Sequence, residues 1–317
     1  MHMQIYWSID DLGLALTLQQ APPAVVTLGT FDGVHRGHQS LLRRVVELAQ
    51  FEHATPVALV FAPHPQQVLR GTAPVALTSL AQRLELIGQC GIRHTAVVEF
   101  DSDLATMQAD DFADLLCKSL RPKALVLGYD FRFGKDGAGT LQTFRHLARH
   151  CPPVLEQIAG TVEADAPVSS SRIRQALAEH KLHVAQSMLG RHYCVRGIVV
   201  HGLQRGRTLG FPTANVQASC DVGLPTGIYA GWTTLRTSGD RYASAISLGY
   251  NPTFDLRPAE PVLEVHLLDF DQNIYGQELD VEFVEYLRGE MRFNSPADLT
   301  QQIAADVSNS RLVLSRT

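Results

Sequence analysis

The feature that most constrains the fold of this chain is the arrangement of its short apolar segments. In the first half, segments rich in β-branched residues alternate with amphipathic helical patterns, and the segments cover residues 24–28, 57–61, 95–100 and 124–128. Wholly apolar strands separated by helices predict a parallel sheet covered on both faces. Such sheets bind ligands beyond the carboxyl ends of their strands, where this chain has glycine-rich turns.

The pattern changes near residue 190. A helix is predicted after residues 170–174, ending at about Leu189, and short strands without intervening helices follow at residues 194–200, 228–235, 243–248, 263–270 and 279–286. Serial strands separated by turn residues predict an antiparallel β-barrel. A last helix is predicted over residues 296–314. We therefore expect an α/β domain over residues 1–181 and a β domain over residues 182–317.

Length and composition agree with two folded domains. The chain has 317 residues, of which 45% are hydrophobic, enough for two cores. Its formal charge of −5 gives no general field for capturing nucleic acid or an anionic membrane. We expect no nucleic-acid or membrane partner, so any bound phosphate must be held by a local site.

Cysteine usage and the N-terminal residues favour the cytoplasm. The five cysteines form no Cys-x-x-Cys pair, which predicts neither a disulfide framework nor a thiolate zinc site. The first residues lack the cationic and apolar regions of a signal peptide. No apolar run approaches the roughly 20 residues that span a bilayer.

The strongest local signal is the string Gly-Thr-Phe-Asp-Gly-Val-His-Arg-Gly-His at residues 29–38. Its glycines let backbone amides approach a phosphate, and the helix that follows offers free N–H groups. His35 and His38 project to the same side of that helix start, where two imidazoles can stabilise charge on a polyphosphate. As zinc ligands they are only two of the four required. Neither a dinucleotide-binding glycine fingerprint nor a P-loop is present.

This string resembles the HxGH motif of the nucleotidyltransferase superfamily. With Phe-Asp-Gly before the first histidine, it is similar to the N-terminal module of bacterial bifunctional riboflavin kinase/FAD synthetases. Three further segments match that family in order, at residues 61–65, 128–134 and 168–174. The resemblance implies a Rossmann-like nucleotidyltransferase domain that adenylylates FMN.

The resemblance also implies roles for individual residues of the N-terminal domain. Catalytic or nucleotide-binding roles fall on Gly29, Phe31, Asp32, Gly33, His35, Gly37, His38, Asp130, Ser170 and Arg174, with His35, His38 and Arg174 as the catalytic members. His64 is expected near the FMN phosphate. Some relatives have asparagine where Asp130 stands, and an ionised aspartate accepts hydrogen bonds without donating them. Ser170 is alternatively a helix cap and Arg174 a surface cation.

A second group of motifs lies in the predicted barrel. Residues 212–215, Pro-Thr-Ala-Asn, match the motif of riboflavin kinases, and further matches lie at residues 227–231, 251–254 and 264–270. The resemblance implies a riboflavin-kinase barrel in which Gly206, Gly210 and Thr213 bind ATP and Asn251 binds the flavin. One departure is Ser247-Leu248, where relatives more often have Asn-Ile.

The kinase reaction needs a metal and a base. Mg²⁺ prefers oxygen ligands, which Thr213 and Asn215 supply. A ribityl hydroxyl is a weak nucleophile, and the resemblance makes Glu264 the base that activates it. Without the resemblance, Glu264 reads as an exposed strand residue, and Asp269 and Asp271 compete for the role from the strand end and turn.

The expected function is two-step synthesis of flavin cofactors from riboflavin and ATP, giving FMN and then FAD. We expect a monomer or weak homo-oligomer. One rival is a nucleotidyltransferase for another acceptor with an inert β domain. The other is a flavin-binding or storage protein without catalysis.

Overall fold

The structure, a computed structural model, describes residues 3–146, 154–164, 166–202, 209–250 and 261–316. It divides into two compact units. The sheet unit comprises residues 1–74 and 80–169, and the barrel unit comprises residues 75–79 and 170–317. Within the described residues, none of the helices has the length and apolar character needed to cross a membrane.

The sheet unit is built on six parallel strands in the order β1-β4-β3-β2-β5-β6. These strands are β1 (Gln4–Tyr6), β2 (Ala24–Gly29), β3 (Thr55–Ala62), β4 (His94–Glu99), β5 (Ala124–Gly128) and β6 (Val154–Ile158). A small antiparallel pair, β7 (Val162–Glu163) and β8 (Ala166–Pro167), follows them. The parallel sheet predicted from the apolar segments is confirmed.

Helices cover the sheet on both faces. They are α1 (Ile9–Leu18), α2 (Arg36–Phe51), α3 (Pro65–Arg70), α4 (Leu80–Gln89), α5 (Ser102–Thr106), α6 (Ala109–Leu120) and α7 (Leu141–His146), with a 3₁₀ turn at Lys135–Gly137. On β2, Val26 packs in a core shared with α1 and α6, whereas Val25 packs in a second core shared with α2 and α4. Successive strand residues point to opposite faces, so a strand between two helical layers must be apolar throughout.

The barrel unit begins with two helices, α8 (Ser170–Ala178) and α9 (Leu182–Leu189). A closed barrel follows in the order β10-β13-β12-β11-β14-β9. Its strands are β9 (Tyr193–Val200), β10 (Ala214–Ala218), β11 (Gly227–Leu235), β12 (Arg241–Gly249), β13 (Val262–Leu267) and β14 (Glu278–Arg288), and α10 (Pro296–Leu314) ends the chain. All its strand pairs are antiparallel, which confirms the predicted barrel and terminal helix.

Two sequence expectations are corrected. The single helix predicted after residues 170–174 and up to about Leu189 is two helices that begin at Ser170, because His180 adopts a left-handed backbone (φ 56°) that ends α8. The expectation that the cysteines form no disulfide is wrong for Cys117, which is disulfide-bonded, whereas Cys90, Cys194 and Cys220 are outside any disulfide.

Candidate active sites

The first site forms where β2 ends and α2 begins. Between them, Phe31, Gly33 and Val34 have left-handed backbones, with φ of 50°, 78° and 39°. This conformation costs a non-glycine residue roughly 1–2 kcal/mol. The side chains of Phe31 and Val34 are each 1% exposed, and the Val34 N–H donates to the Phe31 carbonyl at 3.0 Å. Burial of these two side chains helps to hold the loop in its strained shape.

His35 caps α2. Its Nδ1 accepts a hydrogen bond from the backbone N–H of His38 at 3.3 Å, and the two rings stack with centroids 3.6 Å apart. A neutral imidazole that accepts at Nδ1 carries its proton on Nε2. A Cβ at Gly37 would stand 3.2 Å from the His35 ring, so glycine leaves room for this arrangement. The motif therefore places two histidines together at a helix N-terminus.

His38 is held as a neutral imidazole. Burial, then the neighbouring His35, then the Arg83 cation lower its pKa well below the ordinary value of 6.5. Its Nδ1 is buried and has no hydrogen-bond partner among the residues that the structure describes. The Phe31 ring stands edge-on to it at 5.3 Å. At neutral pH, His38 therefore offers a dipole and a hydrogen bond instead of a positive charge.

Sequence reasoning missed one residue of this site, Arg83 on α4. Its guanidinium donates to the Thr30 carbonyl at 3.0 Å and to the Asp32 carboxylate at 3.3 Å. The side chains of Asp32 and Arg83 are 2% and 8% exposed. Asp32 thus lies in a buried ion pair. It belongs to the segment of residues 29–35 that joins β2 to α2, which we call the histidine loop.

A cavity of about 490 Å³ opens at this edge of the sheet. Gly29, Phe31, His38 and Asp130 line it, which brings four of the predicted site residues together. The remaining wall is mainly apolar and aromatic, with Phe61, Phe100, Leu104, Phe112, Phe131 and Phe133. The cavity therefore combines a polar end at the histidine loop with an apolar wall large enough for an aromatic ring system.

Three other predicted residues belong to helices: His64 and Ser170 lie at helix starts, and Arg174 lies in the middle of α8. His64 caps α3, where its Nδ1 accepts from the Gln66 N–H at 3.2 Å, and the next residue, Pro65, lines the cavity. Ser170 and Arg174 lie on α8 of the barrel unit. The Nε of Arg174 donates to the Val75 carbonyl at 2.6 Å, which fixes the base of its guanidinium within that unit.

The second site lies on three neighbouring barrel strands. Glu264 on β13 stands directly opposite Asn215 on β10 and Ser247 on β12. Directly paired residues of antiparallel strands share a face of the sheet. The chain neighbours of Glu264, Leu263 and Val265, are buried, whereas Glu264 itself is half-buried. Alternation therefore turns Glu264, Asn215 and Ser247 together to the more accessible face.

Thr213 lies just before β10 and borders a second cavity. It is half-buried, as is Asn215, and Ala214 between them is buried. The cavity measures about 480 Å³, and its lining includes Thr213, Phe270, Asp271, Asn273 and Tyr275. Among the described residues, no group of three His, Cys, Asp or Glu side chains is arranged to hold a metal.

The segment before Thr213 is fixed by a side chain of β13. His266 Nδ1 donates to the Pro212 carbonyl at 2.7 Å, and the Phe211 ring stands edge-on to His266 at 5.7 Å. Since proline has no N–H for a strand ladder, this side-chain bond holds the segment in its place.

Two glycines stand close to the kinase motif. Gly210 has a left-handed backbone (φ 85°), as expected for a turn glycine. A Cβ at Gly202 would overlap the Asn215 carboxamide, so a larger residue here would force that side chain to move; sequence reasoning missed Gly202. The predicted residues Gly206 and Asn251 lie outside the described part of the chain.

Comparisons with known proteins divide the chain in the same order. The family model described as FAD synthetase matches residues 17–172, and the one described as riboflavin kinase matches residues 189–314. The bifunctional riboflavin kinase/FMN adenylyltransferase of Bacillus subtilis (strain 168) is 37% identical over 301 residues, which cover 92% of each chain. The protein of the same name from Escherichia coli (strain K12) is 36% identical over 93% of this chain and 94% of its own.

A solved structure shares the fold over nearly the whole chain. It is a crystal structure described as a macrolide-efflux protein from Streptococcus pneumoniae, 29% identical, with a TM-score of 0.84, covering 98% of this chain and 99% of its own. The two family models match the chain in the order of its sheet and its barrel. The chain therefore belongs to the family of bifunctional riboflavin kinases/FMN adenylyltransferases.

Proposed function

We propose that the two units catalyse consecutive reactions. The barrel unit transfers the γ-phosphoryl group of ATP to riboflavin and gives FMN; the sheet unit transfers the adenylyl group of a second ATP to FMN and gives FAD and pyrophosphate. The observation that carries this proposal is the division of functional groups. Paired imidazoles at a helix N-terminus lie in one unit, and a carboxylate beside an amide lies in the other.

In the sheet unit, an oxygen of the FMN phosphate attacks the α-phosphorus of ATP, and the bond to pyrophosphate breaks. The nucleophile is already an anion, so catalysis consists of positioning and charge stabilisation without a general base. We propose that the imidazole N–H groups of His35 and His38, together with free backbone N–H groups in the first turn of α2, donate to the phosphate oxygens. The nucleotide-binding roles of Gly29, Phe31, Asp32, Gly33, Gly37 and Asp130 belong to this proposal. The roles of Ser170 and Arg174, which lie on α8 within residues 1–181, are assigned to the same reaction.

The first cavity suits the acceptor. We propose that its aromatic wall receives the isoalloxazine ring of FMN and that its polar end receives the phosphates. A volume of about 490 Å³ lies within the range of small-ligand sites. His64, one residue before cavity-lining Pro65, is assigned to the FMN phosphate.

In the barrel unit, Glu264 is the proposed general base. It takes the proton of the ribityl hydroxyl as the oxygen attacks the γ-phosphorus, and ADP leaves. We assign the second cavity to ATP, because Thr213 borders it beside the aromatic rings of Phe270 and Tyr275. Gly206 and Gly210 complete the proposed ATP loop, and Asn251 is assigned to the flavin.

Mg²⁺ suits the donors on this face. Thr213 and Asn215 offer a hydroxyl and a carboxamide oxygen, and Asn215 stands opposite Glu264. Mg²⁺ held by Thr213 and Asn215 would neutralise the charge of the phosphates. The residues themselves orient the nucleotide and hold the base beside it.

The proposal extends to organisation and location. We assign adenylyl transfer to residues 1–181 and phosphorylation to residues 182–317. The enzyme acts in the cytoplasm as a monomer or weak homo-oligomer, with riboflavin, FMN, FAD and ATP as its ligands and without nucleic-acid or membrane partners. The formal charge of −5 gives no general field for nucleic acid or an anionic membrane, which supports the expected absence of such partners.

One incubation tests the proposal. The protein is mixed with riboflavin, ATP and Mg²⁺, and flavins are separated by chromatography. FMN and then FAD are expected, and neither should form when EDTA removes Mg²⁺. If riboflavin is not phosphorylated but FMN supplied in its place is converted to FAD, the barrel is inert. If neither riboflavin nor supplied FMN is converted, the chain only binds flavin.

A further inference from the structure

Arg83 bonds to the residues on both sides of Phe31, one of the left-handed residues between β2 and α2. One amino group donates to the Thr30 carbonyl at 3.0 Å and the other to Asp32 at 3.3 Å. Between these two residues lies Phe31, with its left-handed backbone. A planar guanidinium holds two acceptors in a fixed geometry, which the single ammonium of lysine does not reproduce.

The contact between Arg83 and Asp32 is buried, which makes it a constraint on the loop. Asp32 is 2% exposed and α4 supplies its cation from 51 residues further along the chain. An ion pair in water holds its partners weakly, whereas a buried charge that loses its partner is strongly unfavourable. The loop therefore keeps its shape as long as Arg83 stays in place.

Arg83 also belongs to the charged surroundings of His38. His38 stacks on His35, and Asp32 of the same loop pairs with Arg83 of α4. The segment after β5 brings Asp130 and Arg132 to the cavity that His38 also lines. After burial and His35, the Arg83 cation is the third cause that lowers the pKa of His38. A cation so close disfavours a second positive charge on the imidazole.

We propose that Arg83 is a positioning residue for adenylyl transfer, which holds residues 29–35 in the shape that places His35 and His38 at the cavity. It acts through the loop, and its positive charge adds to burial and to His35 in disfavouring protonation of His38. This inference rests on the proposed roles of the two histidines.

Two substitutions separate the geometric effect from the charge effect. Arg83→Lys keeps the charge and loses the two-point attachment, whereas Arg83→Met loses both. Arg44→Met is the matched control, since Arg44 on α2 pairs with Glu156 at 2.7 Å and is not among the residues lining the cavity. FMN adenylylation is measured in full-length protein, and riboflavin phosphorylation is measured in the same samples.

We expect both Arg83 variants to lower kcat for FAD synthesis by about tenfold to hundredfold, with a smaller change in KM, because misplacement of catalytic groups acts on the transition state. Riboflavin phosphorylation and the Arg44→Met variant should stay near wild-type rates. NMR titration of the His38 ring should show a higher pKa in Arg83→Met and an unchanged pKa in Arg83→Lys.

A lower melting temperature with unchanged kcat and unchanged His38 titration would overturn the inference, since Arg83 would then be only structural. If Arg83→Met does not fold, the kinetic result for Arg83→Lys decides: a wild-type kcat overturns the inference. His38→Ala distinguishes a failure of the proposed role of the histidines from a failure of the proposed role of Arg83. If it leaves FAD synthesis intact, the proposed role of the histidines fails; if it abolishes FAD synthesis while both Arg83 variants are normal, only the role of Arg83 fails.

Discussion

The sheet unit and the barrel unit present their reactive groups in opposite ways. In the sheet unit, the histidines stand on a loop and helix start beyond a strand, and three left-handed residues shape that loop. In the barrel unit, Asn215, Glu264 and Ser247 lie on strands, at positions that the hydrogen-bond register fixes. The hydrogen bonds between barrel strands are enough to fix which residues stand side by side. A strained loop needs contacts with residues distant in sequence, such as Arg83, to hold its shape.

The two proposed reactions also differ in what their nucleophiles require from the protein. The proposed nucleophile of the sheet unit is an anion that needs positioning and charge stabilisation. That of the barrel unit is a hydroxyl that needs a base. A substitution in one unit that stops both reactions would contradict the assignment of one reaction to each unit. Substitutions that stop only one reaction would support it.

The largest effect is expected from Glu264→Gln. Loss of a general base typically lowers the rate by roughly 10²–10⁴-fold, so FMN formation should nearly stop while FAD synthesis from supplied FMN continues. Product chromatography with each flavin substrate checks this. Glu285→Gln, an exposed glutamate on β14, is the control. Normal phosphorylation in Glu264→Gln would remove the assignment of Glu264.

His38→Ala should give the opposite result. Loss of one donor to a charged transition state lowers the rate by about 10²–10³-fold, so FMN should accumulate without FAD. His53→Asn provides a control, because this exposed residue lies past the far end of α2 and asparagine tolerates its left-handed backbone. FAD forming at the normal rate in His38→Ala would show that the histidines are structural.

A smaller effect is expected from Gly202→Ala. The added methyl group would overlap the Asn215 carboxamide and displace it from the position opposite Glu264. Riboflavin phosphorylation should fall by about tenfold to hundredfold, and adenylylation should not change. Gly223→Ala is the matched control, since its Cβ would meet no atom closer than 3.4 Å. Equal kinase rates in the two variants would contradict this role of Asn215.

The smallest effect concerns stability against pH. Because the folded protein holds the pKa of His38 well below 6.5, the unfolded chain binds a proton that the folded chain excludes. The destabilisation is absent well above pH 6.5 and grows as the pH falls through that value, by at most about 1.4 kcal/mol per pH unit. Urea unfolding from pH 8 to pH 5 should show a flatter dependence in His38→Gln. An identical slope in both proteins would show that His38 titrates normally.

The sequence predicted the two architectures because their cores repeat simple patterns. Strands β2 to β5 are apolar runs between turn residues, and their bounds agree within about two residues with those expected. Strands β1 and β6 were missed; Gln4–Tyr6 is a three-residue edge strand that pairs only with β4, too short to show a periodicity. The break at His180 was also missed, since no glycine or proline marks it.

The sites were predictable to the extent that motifs carry them. The strings around His35, His38, Asn215 and Glu264 named these residues, and the structure brings His35 beside His38 and Asn215 beside Glu264. Arg83 was missed because it looks like an ordinary polar residue of an amphipathic helix. Its contact with Asp32 exists only after β3 and α4 have folded around the loop, which local sequence does not reveal.

The central claim is that two complete and separate active sites share one chain, and mixing two variants tests it most directly. Glu264→Gln and His38→Ala are incubated with riboflavin, ATP and Mg²⁺, first separately and then together. Separately, neither should convert riboflavin to FAD. Together they should, because FMN made by His38→Ala diffuses to the intact sheet unit of Glu264→Gln. FMN that accumulates in the mixture without FAD would contradict the account, since the Glu264 substitution would then have disabled both sites.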